Sequence, residues 1–368
     1  MHILVTADTL GGVWTYTREL VTGLVRRGIK VTLVSFGDIP SAAQTRWLDA
    51  LPQVDFRPTA FKLEWMQDSE ADMEASSEYL SQVIDETRPD LLHFSQYYYG
   101  SLPVDLPKVV IAHSDVLSWW SALHEHPPAE SAWLRWYRES VARGLGSDTT
   151  VIAPSHWMLQ QIELQYGKPQ QGAVIHNGRT PSLFNPHVSK EDSVLSVGRL
   201  WDIGKNAALL VREDMPVPVH IVGADRHPEF QSSAFTVEEI RSNIHLDPQQ
   251  DETQMAQLFS RAGIYAATSR YEPFGLAPLE AAFSRCAIVA NDIPSFREIW
   301  GETVCYFRTN DPASLQRQLE RLQGNRELRL RYANLAYNRA RARYTAERMV
   351  NDYAALYYSL AGMEAHAA

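Results

Sequence analysis

With 368 residues, 45% of them apolar and 21% charged, the chain is long enough for two ordinary domains and has a globular composition. Its net charge of −10 excludes broad nucleic-acid binding, which needs a basic face, but leaves room for a local basic pocket. Only two cysteines occur, Cys286 and Cys305, both in apolar strand-like segments; they read as buried thiols in a reducing compartment, since a disulfide framework or a metal site would need more ligands.

The N-terminus, Met-His-Ile-Leu-Val-Thr-Ala-Asp, already reads as a strand and lacks the basic-then-apolar layout of a signal peptide. No apolar run approaches the ~20 residues that span a bilayer. The expectation is a soluble cytoplasmic protein, with peripheral contact at the inner membrane face left open. Ile3 to Thr6 form a first short strand, Gly11-Gly12 a turn, and Val13, Leu20, Leu24 and Val25 the apolar positions of a helix that ends at Gly28. Val31 to Phe36 follow as the next strand, giving a βαβ opening. The Gly-x-Gly-x-x-Gly fingerprint is absent, which disfavours a dehydrogenase. The two glycines serve either tight turn geometry or backbone approach to a ligand at a helix N-terminus.

Further strands are expected at Leu91 to Phe94, Val109 to Ala112 and Thr150 to Ala153, with the clearest helices at Ser69 to Thr87 and Ser131 to Leu145. Lys168-Pro-Gln-Gln-Gly172 reads as an interdomain connection. A second series then runs through Ala173 to His176, Val194 to Val197, Val219 to Val222, Ile244 to Leu246, Ile264 to Thr268, Ala287 to Ala290 and Val304 to Phe307. Strand and helix alternate twice, so the fold class is α/β, with two doubly wound domains and a cleft between them. From Leu315 to Ala361 the chain is mostly helical and rich in Arg and Tyr.

Two stretches in the second half bear chemistry. Val197-Gly-Arg199-Leu-Trp-Asp-Ile-Gly-Lys205-Asn lies at a strand end and places a planar guanidinium and a compact ammonium six positions apart. Both can converge on one diphosphate and stabilise charge growing on a departing phosphate. In Glu272-Pro-Phe-Gly275-Leu-Ala-Pro278-Leu-Glu280, Gly275 permits close backbone approach and Pro278 suits a first helical turn. Unpaired N–H groups around Gly275 and Leu276 make an anion site flanked by two carboxylates. Carboxylates accept from sugar hydroxyls and repel phosphate, so the layout suits a sugar nucleotide: sugar, diphosphate, ribose. The alternative is a solvated helix with two unrelated glutamates.

Over nearly its whole length the chain resembles glycosyltransferase family 4, the retaining GT-B enzymes. The Glu272 to Glu280 motif with Phe-Gly-Leu inside it, Val-Gly-Arg199-Leu with Lys205-Asn, Val-Ile-His-Asn177-Gly178, Gly11-Gly12 and Ile-Ala-His113-Ser-Asp115 carry the likeness. The resemblance implies two Rossmann-like domains: residues 1–168 for the acceptor, residues 169–343 for the sugar nucleotide, and a tail, 344–368, whose helix crosses back onto the first. It also implies roles. Glu272 would bind hydroxyls of the transferred sugar, while Phe274, Gly275 and Leu276 present backbone N–H groups to sugar and phosphate. Glu280 would hold the ribose, Arg199 and Lys205 grip the diphosphate, Gly12 approach it from the facing domain, and His113 sit beside the reacting sugar near its 6-hydroxyl.

Arg179-Thr180 stands where the family commonly has Val-Asp, and Leu246-Asp247 where Leu-Gly or Phe-Gly is common near the base pocket. The family's habits point to uridine, hence UDP-glucose as donor, with a glycan or lipid-linked sugar as acceptor in envelope or exopolysaccharide assembly. No Asp-x-Asp occurs, so the cationic pair can replace a divalent ion and neither metal nor other cofactor is expected. With both glutamates assigned to binding, front-face transfer through an oxocarbenium-like state is favoured over a covalent carboxylate. Aromatic faces at Tyr97, Tyr98, Tyr99, Trp119, Trp120, Trp133 and Trp136 serve either an acceptor or the core. A sugar-nucleotide epimerase, a sugar phosphorylase and a non-catalytic sugar-nucleotide-binding protein are the alternative readings.

Overall fold

The computed structural model describes residues 1–146, 148–224 and 241–364. They divide into two compact units, one built from Met1–Ser121, His126–Gly178 and the stretch beginning at Ala346, the other from Ala122–Glu125 and Arg179–Thr345.

In the first unit the strands are β1 (His2–Asp8), β2 (Lys30–Phe36), β3 (Asp55–Pro58), β4 (Leu91–Phe94), β5 (Lys108–Ile111), β6 (Thr149–Ala153) and β7 (Gln171–Val174). They pair in parallel in the order β3-β2-β1-β4-β5-β6-β7. Covered on both faces, β1, β4 and β6 are buried at every position, which is why they read as near-continuous apolar runs rather than alternating ones. The crossovers hold α1 (Gly12–Arg26), α2 (Ala42–Thr45), α3 (Glu70–Thr87), α4 (Val116–Leu123), α5 (Ala132–Gly144) and α6 (His156–Tyr166). Ser131 and Ser155 cap α5 and α6 with their hydroxyls.

The second unit repeats the plan. Strands β8 (Glu191–Val197), β9 (Val219–Val222), β10 (Ile244–Asp247), β11 (Ala262–Ala267), β12 (Ala287–Asn291) and β13 (Cys305–Phe307) form a parallel sheet ordered β10-β9-β8-β11-β12-β13. Its helices are α7 (Glu252–Arg261), α8 (Leu276–Phe283), α9 (Pro294–Trp300), α10 (Pro312–Gly324) and α11 (Arg326–Arg343). Both sheets therefore have the doubly wound order, in which the direction of winding reverses beside the first strand, β1 in one and β8 in the other. Cys286 and Cys305 are buried free thiols of this unit, as expected.

The last helix, α12 (Ala346–Leu360), belongs to the first unit. It packs on α1, where Gly23 leaves room for Val350; a Cβ at that glycine would collide with the valine side chain. Met349, Val350, Tyr353, Ala354 and Tyr357 recur at helical spacing and all enter the first core.

One edge strand, β3, escapes the sequence reading, and the other, β7, is expected in the wrong unit. Gln171–Val174 pairs with β6, so Lys168-Pro-Gln-Gln-Gly172 runs into the first sheet and is not the connection between units. The strand expected at Ala173 to His176 belongs to this sheet as well, and the chain passes to the second unit between Gly178 and Arg179 rather than at 168/169. Exposed at Gln171, Gly172 and Ala173 and half-buried only at Val174, β7 lacks the apolar run of a covered strand. The short β3, half-buried with a proline at its end, is the opposite edge and was missed for the same reason.

His93 of β4 is a titratable group buried in this core. Fully buried, it has Nδ1 at 2.6 Å from the Tyr357 hydroxyl of α12 and Nε2 at 3.4 Å from that of Tyr16 on α1. Burial, aided by the nearby His113, holds its pKa down to about 3 from the ordinary 6.5. A lowered folded-state pKa gives stability that is present above 6.5 and is lost as the pH falls towards 3. Urea denaturation of the wild type and of His93→Gln should show the wild type losing stability relative to the variant across that window, on the order of 1.4 kcal/mol per pH unit. A difference that stays constant with pH would show that His93 is not held neutral.

Candidate active site

In the second unit the loops following β8 and β11 leave from adjacent strands at the point of reversal, where open α/β sheets leave a crevice. Hydrogen bonds to backbone carbonyls tie the two loops together. The Arg270 N–H donates to the Gly204 carbonyl at 2.8 Å, and the Thr268 hydroxyl donates to the Lys205 carbonyl at 2.8 Å. The buried Asn291 amide, at the end of β12, donates to the Ser269 carbonyl at 3.1 Å and shapes the second loop from behind.

On this frame Lys205 Nζ lies 2.6 Å from Glu272 Oε2, and the Ser269 hydroxyl donates to the same oxygen at 3.1 Å. Arg199 pairs instead with Asp202, 2.8 Å from NH2 to Oδ2, and its guanidinium lies 5.0 Å from the Trp201 ring centre. The Arg199 side chain is 45% exposed, whereas Asp202 is 7% exposed and also accepts from the Gly204 N–H. Asp202 thus orients an outward-facing cation.

Gly275 begins α8 with φ +91°, a left-handed conformation that favours glycine. A Cβ there would approach Glu272 Cγ, Phe296 Cε1 and Pro278 Cγ, each to 3.3 Å. Among the described residues no side chain caps the first turn, so the backbone donors of Leu276 and its neighbour lie at the positive end of the helix without a side-chain acceptor. The Phe274 ring, by contrast, is buried edge-on against Tyr344, at 5.5 Å.

Glu280, one turn further along α8, is gripped by Arg179, whose Nε lies 2.7 Å from Oε1. Arg179 also donates from NH2 to Glu252 at 2.8 Å and is only 2% exposed. In the sequence Arg179 stands out only as a departure from the family pattern. Its signal was there: a charged residue where an apolar one is usual needs a buried partner. Asp202, Ser269 and Asn291 were likewise unassigned. Asp247, in the other departing segment, is 2.9 Å from His220 Nδ1.

In the first unit, described by itself, Gly11 has φ +65° and Gly12 opens α1 exposed and without a side-chain cap. His113 follows β5 with its ring edge-on to Tyr16 at 4.6 Å. Its Nε2 is inaccessible to solvent and has no hydrogen-bond partner among the described residues. Burial lowers the His113 pKa to about 3. Glu64, which sequence reasoning missed, accepts from the Tyr97 and Tyr98 N–H groups at 2.9 and 2.8 Å, and burial pushes its carboxyl up to about 7. Tyr97 and Tyr99 are core residues, with Trp133 and Trp136 packed against the same cluster.

The family model for Glycosyltransferase Family 4 matches residues 10–183, and that for Glycosyl transferases group 1 matches residues 185–339. The chain belongs to the GT-B glycosyltransferases of the family 4 type. Two solved structures share the fold of this glycosyltransferase. Sucrose-phosphate synthase from Thermosynechococcus elongatus is 17% identical with a TM-score of 0.78, over 98% of this chain and 99% of that one. Anabaena Alr3699/HepE, solved in complex with UDP-glucose, is 17% identical with a TM-score of 0.74, over 98% and 100%. A curated relative, the lipopolysaccharide core biosynthesis mannosyltransferase LpcC of Rhizobium leguminosarum bv. viciae, is 35% identical over 106 residues, 28% of this chain and 30% of its own length. The chain spans less than a third of the length of the curated relatives it matches.

The geometry joins Lys205 to Glu272 directly, sets Arg199 against Asp202, and gives Glu280 to Arg179. Half-buried pairs couple more strongly than surface ones. A double-mutant cycle with Lys205→Met and Glu272→Gln, followed by chemical denaturation, should return a coupling of about 1–2 kcal/mol. A coupling near zero would show that the two loops are not held by this pair.

Proposed function

We propose that this glycosyltransferase is a retaining, metal-independent hexosyltransferase moving glucose from UDP-glucose to a glycan or lipid-linked sugar in envelope or exopolysaccharide assembly. The observation that supports it best is the charge layout at the reversal point of the second sheet. Arg199, Lys205 and the uncapped start of α8 are donors for a diphosphate, with carboxylates at Glu272 and Glu280 for the hydroxyl-bearing groups. Two side-chain cations supply the positive charge that a divalent ion would bring, which is the basis for expecting no metal.

On this reading the bond between the anomeric carbon and the diphosphate oxygen breaks while the acceptor oxygen bonds to the same face. The acceptor proton passes to the departing diphosphate, whose growing charge Arg199 and Lys205 stabilise. Glu272 accepts from the sugar hydroxyls, and Phe274, Gly275 and Leu276 donate from their backbone. Gly12 and His113 keep, as part of the proposal, the roles that the resemblance implies. A neutral His113 is a hydrogen-bonding partner for a hydroxyl rather than a proton source, in keeping with its low pKa.

A second reading differs in the sugar. The LpcC relative is named a mannosyltransferase, which favours mannose, the epimer of glucose at the 2-hydroxyl. Calorimetric titration in EDTA with UDP, GDP and ADP and their glucosyl and mannosyl forms separates these. Preference for a uridine nucleotide and its glucosyl form supports the first reading, and preference for a mannosyl form the second. Arg199→Ala and Glu272→Ala, folded as wild type, should each cost roughly 2–4 kcal/mol of transition-state stabilisation, measured as kcat/KM for the preferred donor. Near-normal turnover in both would overturn the assignment, and binding of none of the nucleotides would overturn the donor site itself.

A further inference from the structure

Arg179 is the least exposed charged side chain near the candidate site, and a buried guanidinium persists only where carboxylates and packing compensate it. Here Nε reaches Glu280 Oε1 at 2.7 Å and NH2 reaches Glu252 Oε1 at 2.8 Å. The guanidinium carbon lies 5.4 Å from the Phe184 ring centre, and the Phe184 ring stacks on Phe283 of α8 at 6.2 Å. The backbone is fixed as well, since the Arg179 N–H donates to the Tyr344 carbonyl at 3.1 Å and the residue bridges to Thr345. A rigid fork on an anchored backbone therefore spans α7 and α8 and sets the direction of the Glu280 carboxylate.

We propose that Arg179 is the positioning residue for ribose recognition: it holds Glu280 in the orientation that accepts hydrogen bonds from the vicinal hydroxyls of a ribonucleoside diphosphate. The inference rests on the donor reading above and deepens it. A lysine at 179 supplies charge but one compact head instead of a fork, so it cannot hold both glutamates in the same geometry. Glu280 then loses its fixed direction while the diphosphate donors, Arg199, Lys205 and the start of α8, stay intact.

The test compares affinity for UDP and GDP with that for their 2′-deoxy forms in wild type, Arg179→Lys and Glu280→Gln, with folding checked by thermal melting. Wild type should prefer the ribo form by on the order of tenfold or more, the loss expected for a hydrogen bond to a charged group. Glu280→Gln sets the floor of that ratio. Arg179→Lys should bring the ratio close to this floor while affinity for the deoxy form stays at the wild-type level. A purely structural arginine would lower both affinities together and leave the ratio unchanged, and that result overturns the inference alone. Should Arg179→Lys unfold, Arg179→Met combined with Glu252→Gln removes one charge of each sign and is read in the same way. A wild type that binds neither nucleotide overturns the donor reading and this inference together. A wild type that binds but shows no ribose preference overturns the role of Glu280.

Discussion

Parallel pairing is the constraint from which the rest follows. Strands that run the same way must be joined by crossovers, so within each sheet the strands deliver their loops to one edge, and most of the described loops lead into helix N-termini. At the reversal beside β8 the chain then sends neighbouring crossovers to opposite faces and leaves a crevice. Lys205 and Glu272, 67 positions apart, become hydrogen-bonded neighbours because their loops leave β8 and β11 side by side. The bonds from Arg270 and Thr268 to the loop at Gly204 and Lys205 tie the same two loops together beside that charged pair.

Burial divides the charges of this region by function. Arg199, nearly half exposed, can exchange Asp202 for an incoming anion at low cost, because water replaces whatever bond is lost. Arg179 has no such freedom, since withdrawing either glutamate would leave a charge in a desolvated site. Lys205 and Glu272 lie between these limits, at 26% and 16% exposure. The gradient runs from a cation that can switch partners to one that is fixed. It matches what the proposed donor demands: adaptable grip on a diphosphate that leaves, and rigid recognition of a ribose that does not react.

Much of this was legible in the sequence because the physics is local. Buried parallel strands show as apolar runs, so Leu91–Phe94 and Val219–Val222 coincide with the expected limits, and Pro278 lies in the first turn of α8 as expected. The edges were not legible. β3 and β7 lack one neighbour and carry exposed or half-buried residues, so β3 looks like a loop and the start of β7 like a linker, which moved the expected unit boundary from Gly178 back to residue 168. Pairing was the other blind spot. Arg179, Glu252 and Glu280 could each be named as charged positions, but a contact across 73 or 101 positions has no sequence period to reveal it.

The first unit buries titratable groups with opposed consequences. Glu64, pushed up to about 7 from 4.5, contributes stability that is complete below 4.5 and is lost as the pH rises through 7. His93 and His113, pushed down to about 3 from 6.5, contribute stability that is complete above 6.5 and is lost as the pH falls. Between 4.5 and 6.5 the two effects have opposite slopes and partly cancel, so these groups define the acid and neutral flanks of the unit rather than a single transition. The cost of keeping Glu64 is offset locally, because its carboxylate takes up two N–H groups of the turn after β4 that would otherwise be buried without partners. That turn carries Tyr97 and Tyr99 into the core, so an acidic residue distant in sequence determines how the loop at the carboxyl end of β4 is built.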